Sequence, residues 1–270
     1  MARFFPAFAS LILAVFTAAA PVTAVAQVEP IGIVIMHGKG GGPGGLVAGL
    51  AKGLADKGYL VANLEMPWSA KRNYDVTAAK GEEEVEAALA GLRGKGAKKV
   101  FVCGHSQGGI FALHLAAKTT ADGFITITPG GNVAGRIYFE QVGASLRRAR
   151  QLVAEGKGNE ATELEDYEGS KGKYPISAVP AAYVTWFDPD GVMNIDRAAR
   201  SVNSRVPVLW VAATHDYPSL VKAARPTFRM LPKHPLTRFH EAETDHREAP
   251  TAAIGEIVSW TREVANAPGR

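Results

Sequence analysis

The sequence predicts an α/β fold, a mostly parallel central sheet with helices on both faces, carrying a helical insertion over residues 130–205. Three observations lead there. Short runs of Val, Ile and Leu recur along the chain with helix-like stretches between them. The runs are continuously apolar, as in strands buried on both faces, rather than alternating as in a half-exposed sheet. The pattern then breaks between Pro129 and Arg205 and resumes afterwards.

Residues 31–36 form the first expected strand, followed by an Ala/Leu-rich helix over 46–57 that stops near Gly58. Residues 59–64 form the second strand, and a helix over 82–92 ends at Gly94 and Gly96. A third strand (100–103), a helix (110–118) and a fourth strand (124–128) follow. Residues 206–212 and 236–240 read as the fifth and sixth strands, and a helix over 254–264 closes the chain. Within the insertion, Phe139, Val142, Leu146, Ala149 and Val153 recur at helical spacing, so residues 138–154 read as an amphipathic helix. A charged loop is expected over 155–173, then an aromatic, Pro-containing stretch with Tyr183, Trp186 and Phe187.

The chain has 270 residues, 47% of them hydrophobic, which suits one domain with an insertion and excludes a disordered, collagen-like or repeat protein. The net charge of +4 is scattered; Arg147, Arg148 and Arg150 are the tightest group and read as a solvated helix face, so no nucleic-acid partner is expected. Cys103, the only cysteine, lies in an apolar run and reads as a packing residue. No Cys/His metal spacing occurs, and no metal or organic cofactor is expected.

The first residues read as a signal peptide. Arg3 is followed by an apolar core over 11–20 and by Ala24-Val25-Ala26, with small residues where a signal peptidase reads. Residues 1–26 are the expected leader and 27–270 the mature domain, periplasmic or secreted, with no membrane span after cleavage.

The chemistry centres on Gly104-His105-Ser106-Gln107-Gly108, a G-x-S-x-G element. A strand precedes it and Gly109 leads into a helix, so the serine stands on a sharp strand-to-helix turn with its hydroxyl exposed at the helix N-terminus. Serine needs a base and an orienting acid. Asp216 follows the fifth strand, and His246 lies in the loop before the last helix. The chain order Ser106, Asp216, His246 is the order this architecture uses. Asp188 and Asp190 are alternative acids, although Asp188-Pro189-Asp190-Gly191 reads as a turn.

A glycine-rich loop, residues 37–45, follows the first strand. It matches neither a phosphate-binding Walker loop nor a dinucleotide fingerprint. Its position suits an oxyanion hole, with the backbone N–H of Gln107 as one donor and that of Lys39, or else Gly40, as the other. Trp68 and Trp186 are the aromatics expected to line a substrate pocket, with structural packing as the alternative. Ser170-Lys171-Gly172-Lys173 fits an S-x-x-K pattern but lies in a charged loop, not at the head of an apolar helix, and is set aside.

With His37-Gly38 after the first strand, residues 104–109, Asp216 and His246, the sequence resembles the α/β-hydrolase superfamily, in a compact version that begins at the superfamily's third strand. The resemblance implies acyl-group hydrolysis through an acyl-enzyme on a small-molecule acyl substrate. The expected activity is that of a serine esterase. A peptidase or amidase with the same triad and a catalytically silent periplasmic binding or accessory protein of the same fold are the alternatives.

Overall fold

The computed structural model describes residues 1–2, 30–118 and 120–267, so the expected leader lies outside the described residues apart from its first two. The strand β1 (Ile31–Met36) is buried at every position, as its continuous apolar sequence requires. After α1 (Ala48–Ala55) and β2 (Leu60–Leu64), Thr77 caps the long helix α2 (Ala78–Gly94) by accepting the N–H of Lys80. Then come β3 (Lys99–His105), α3 (Gln107–Leu115) and β4 (Gly123–Ile127). The insertion contains α4 (Arg136–Ala154), β5 (Thr162–Glu168), β6 (Gly172–Ala178), α5 (Pro180–Phe187) and α6 (Ile195–Ser201). The chain ends with β7 (Val208–Ala213), α7 (Pro218–Phe228), β8 (Arg238–Ala242), α8 (Ala249–Ala252) and α9 (Ile254–Asn266).

Six strands form one sheet in the order β2-β1-β3-β4-β7-β8, and every pairing is parallel. The chain runs outward from β1 to β2, then crosses back to β3. With right-handed crossovers, that reversal puts α1 on one face and α2 and α3 on the other. The two cores agree. Leu50 and Leu54 of α1 share one with Ile257 and Trp260 of α9. Val85 and Leu89 of α2 share the other with Ile110 and Phe111 of α3 and with Tyr183 and Trp186 of the insertion. The carboxyl ends of β1 and β3 therefore flank the switch point, where open α/β sheets gather ligands.

In place of the charged loop expected over 155–173, the insertion carries a hairpin between α4 and α5. β5 and β6 pair antiparallel from Thr162↔Ala178 to Glu168↔Gly172. Leu164 and Asp166 point inward while Glu163 and Glu165 face out or stay half-buried. The period of two is present in Thr-Glu-Leu-Glu-Asp-Tyr-Glu, but an aspartate at an inward position makes the run look uniformly polar. Helix α7, like α6 and α8 an element the sequence did not announce, carries Pro226 inside it and buries little of its surface. No helix among the described residues is long and apolar enough to cross a membrane.

Candidate active site

β3 ends at His105 and α3 begins at Gln107, so Ser106 alone makes the turn between them. Its backbone sits at φ 55 and ψ −118. That conformation costs a residue with a Cβ about 1–3 kcal/mol and persists only where the surroundings enforce it. They do so by hydrogen bonds. Ser106 donates its N–H to Ile127 O at 2.9 Å, and its carbonyl accepts from the N–H groups of Gly109 (2.9 Å) and Gly130 (3.2 Å). The glycines two before and two after it are sterically compelled. A Cβ on Gly104 would stand 1.9 Å from Gly108 O, and one on Gly108 would stand 2.6 Å from Met36 O.

The loop after β1 runs beside this turn. A Cβ on Gly38 would come 3.0 Å from Ser106 Cβ and 3.6 Å from Ser106 Oγ. The buried His37 ring braces the loop. Its Nε2 accepts the N–H of Met66 at 3.0 Å, so the ring proton resides on Nδ1, which donates to Gly38 O at 2.7 Å. Burial lowers its pKa, in keeping with a neutral ring. Gly40 donates its N–H to Trp68 O at 2.9 Å. The N–H of Gly40, the alternative second oxyanion donor, is thus already engaged by backbone.

His246 Nδ1 lies 2.8 Å from Asp216 Oδ1, and the two side chains are only 13% and 3% exposed. The Asp216 carboxylate also accepts the N–H of Tyr217 at 2.6 Å. The structure thus brings the expected acid and base together. The alternative acid Asp188 is used in the turn foreseen for it, where Oδ1 accepts the N–H of Asp190 and the carbonyl accepts that of Gly191.

His105 is a support that the sequence did not single out. Its Nε2 donates to the carbonyl of His246 at 2.9 Å, and the two rings lie 4.8 Å apart. Burial, and then the neighbouring His246, push its pKa down to about 3, so the ring stays neutral and the donor stays in place. The pattern G-x-S-x-G leaves that position open, so nothing in the sequence marks it.

The two tryptophans expected to line a pocket are core residues instead. Trp68 and Trp186 are each 1% exposed, with ring centroids 5.4 Å apart, and both pack on Phe111. Their indole N–H groups are satisfied by backbone, Trp68 by His37 O at 2.9 Å and Trp186 by Val76 O at 2.7 Å. Closed to solvent and packed on one another across the seam, the two rings fasten the insertion to the body of the domain.

A second seam is polar. The side chain of Lys39 reaches into the insertion and meets Asp166 Oδ1 at 2.5 Å and Tyr138 Oη at 2.6 Å. Burial lowers the Lys39 pKa, opposed by the Asp166 charge beside it. Burial, with Asp166 as the next cause, raises the pKa values of Tyr74 and Tyr138, which keeps both phenols protonated and able to donate.

A family model described as the alpha/beta hydrolase family matches residues 33–265. The chain belongs to the alpha/beta hydrolase family. This alpha/beta hydrolase is 28% identical over 196 residues to the esterase EstD of Thermotoga maritima, a stretch covering 68% of this chain and 46% of that one. The match therefore spans less than half the length of that relative. Among solved structures, the hydrolase is similar to GrgF from Penicillium sp. sh18 (TM-score 0.65, 16% identity, covering 88% of this chain and 90% of that one). It is also similar to the monoacylglycerol lipase of Paleococcus ferrophilus (0.62, 18%, 86% and 94%). A thermostable carboxyl esterase from Bacillus coagulans is a third such structure (0.59, 18%, 87% and 91%). At such identities these likenesses are of fold.

Proposed function

We propose that this alpha/beta hydrolase is a serine esterase that cleaves small carboxylic esters through an acyl-enzyme. Ser106 is the nucleophile, His246 the general base and acid, and Asp216 the group that orients the imidazole. The observation that carries this reading is the Asp216–His246 hydrogen bond of 2.8 Å, at the sheet edge where Ser106 stands on its strained turn. The match to an esterase supports the choice of substrate class.

Ser106 Oγ attacks the ester carbonyl while His246 Nε2 takes its proton. The N–H groups of Lys39 and Gln107 hold the oxygen that becomes negative, and Gln107 does so at the head of α3, where the helix dipole favours negative charge. The imidazolium, held on Nδ1 by Asp216, protonates the leaving alkoxide. His246 then activates water, and the second tetrahedral intermediate collapses to acid and free serine. The insertion, joined to the oxyanion loop through Lys39 and Asp166, acts as the cap of this site.

A panel of p-nitrophenyl esters of graded chain length, beside aminoacyl p-nitroanilides, tests the substrate class. Ester turnover with no anilide turnover is expected. Anilide turnover at least as fast would make the protein an amidase or peptidase, and turnover of neither would make it a silent member of the fold. We also propose export with cleavage after Ala26. Intact mass from the native host is expected to place the mature N-terminus at Gln27, and a chain beginning at Met1 or Ala2 would contradict it.

A further inference from the structure

Asp166 is a carboxylate buried to 1% exposure on β5 of the insertion, with more donors than an ordinary ion pair uses. Oδ1 accepts from Lys39 Nζ (2.5 Å), Tyr138 Oη (2.6 Å) and its neighbour's amide, Tyr167 N (2.6 Å). Oδ2 accepts from Tyr74 Oη (3.0 Å) and Tyr174 Oη (3.3 Å). Tyr74 Oη in turn accepts the side-chain amide of Gln107 at 3.3 Å.

The two ends of this network are Lys39 and Gln107, the residues whose backbone N–H groups are assigned to the oxyanion hole. They follow different strands, Lys39 in the loop after β1 and Gln107 as the first residue of α3 after β3, and the same carboxylate ties the side chains of both, that of Gln107 by way of Tyr74. A fully buried pair is a poor way to add stability, because desolvating two charges offsets their attraction and an apolar filling does as well. A saturated polar network instead fixes one arrangement of the groups it joins.

Resting on the esterase reading above, we propose that Asp166 is a positioning residue for oxyanion stabilisation. The insertion, through this one carboxylate, sets the place of both donors, Lys39 directly and Gln107 through Tyr74. The hole is then complete only when the insertion is docked, which makes catalysis as well as access depend on it.

The test compares the full mature chain with Asp166→Asn and Tyr74→Phe. Three readings are taken: kcat and KM on a short p-nitrophenyl ester, affinity for an alkyl boronic acid that mimics the tetrahedral intermediate, and labelling of Ser106 by a fluorophosphonate. Misplaced donors weaken the transition state more than the ground state. Asp166→Asn is expected to lower kcat about 10- to 100-fold, less than the loss of a whole donor, with KM nearly unchanged and boronate affinity falling in parallel. Tyr74→Phe keeps the ring that packs on Phe187 (centroids 4.9 Å apart) and removes only the hydroxyl, so it decides the matter if Asp166→Asn does not fold. A smaller loss in the same two quantities is expected from it. Unchanged kcat and boronate affinity in the folded variants, or a loss confined to KM, would overturn the positioning role while leaving the esterase reading intact. A wild-type protein that neither turns over esters nor labels at Ser106 would overturn both.

Discussion

Asp216 Oδ1 and His246 Nδ1 meet at 2.8 Å although they come from loops after different strands, and both side chains are nearly closed to solvent. That bond fixes which imidazole nitrogen carries the proton and leaves Nε2 as the one able to take a proton from serine. Asp216→Asn keeps the shape but presents an amide where a carboxylate stood. Steady-state kinetics should show kcat down by about 10³- to 10⁴-fold with the fold retained. A loss below tenfold would mean another group orients the histidine.

The strain at Ser106 makes a prediction of opposite sign for stability. At φ 55 and ψ −118 a glycine is comfortable and a serine is not. Ser106→Gly is therefore expected to raise stability by about 1 kcal/mol, the released strain less the entropy a glycine adds to the unfolded chain, while abolishing activity. Denaturant melts of the two proteins check this, and a clear destabilisation would show that the turn is not strained.

Acid should weaken the fold through His105. The unfolded side chain binds a proton near pH 6.5, while the folded one is buried and binds it only near pH 3. Its contribution is complete above about pH 6.5, declines as pH falls from there, and is exhausted below about pH 3, a span worth a few kcal/mol. Burial also lowers the pKa values of His37 and His114, so they act in the same direction. His105→Gln keeps a donor for His246 O and removes the titration. Its stability is expected to fall less steeply between those pH values, and an identical slope would exclude His105 as the source.

Trp186 tests whether the aromatic seam packs or recognises. It is 1% exposed and satisfied by Val76 O. Trp186→Ala is expected to cost about 3–5 kcal/mol, as other large-to-small core changes do, with the order of preference among ester chain lengths unaltered. A shifted preference with little loss of stability would return this residue to the pocket.

The parallel sheet is legible mainly through its inner strands β1, β3, β4 and β7, which are buried along nearly their whole length and read as apolar runs, whereas the edge strands β2 and β8 are half-exposed and carry polar residues such as Asn63 and Arg238. The turn at Ser106 is legible for a different reason, since only glycine fits where a Cβ would meet Gly108 O at 1.9 Å or Met36 O at 2.6 Å. The hairpin of the insertion is hidden because its inward-facing Asp166 reads as surface. Nothing local marks that residue; its partners Lys39 and Tyr74 lie 127 and 92 positions away. The roles of Trp68 and Trp186 turn on the same difficulty, for an aromatic near a site looks alike in sequence whether it faces a substrate or another ring.

The proposed reaction begins with Ser106 as an activated nucleophile. The decisive measurement is to incubate the folded protein with a fluorophosphonate and map the adduct by peptide mass spectrometry. A single covalent adduct on Ser106 is expected, stoichiometric, absent from Ser106→Ala and strongly slowed in His246→Ala. Labelling that persists undiminished in Ser106→Ala, or a wild-type protein that takes up no probe, would contradict it.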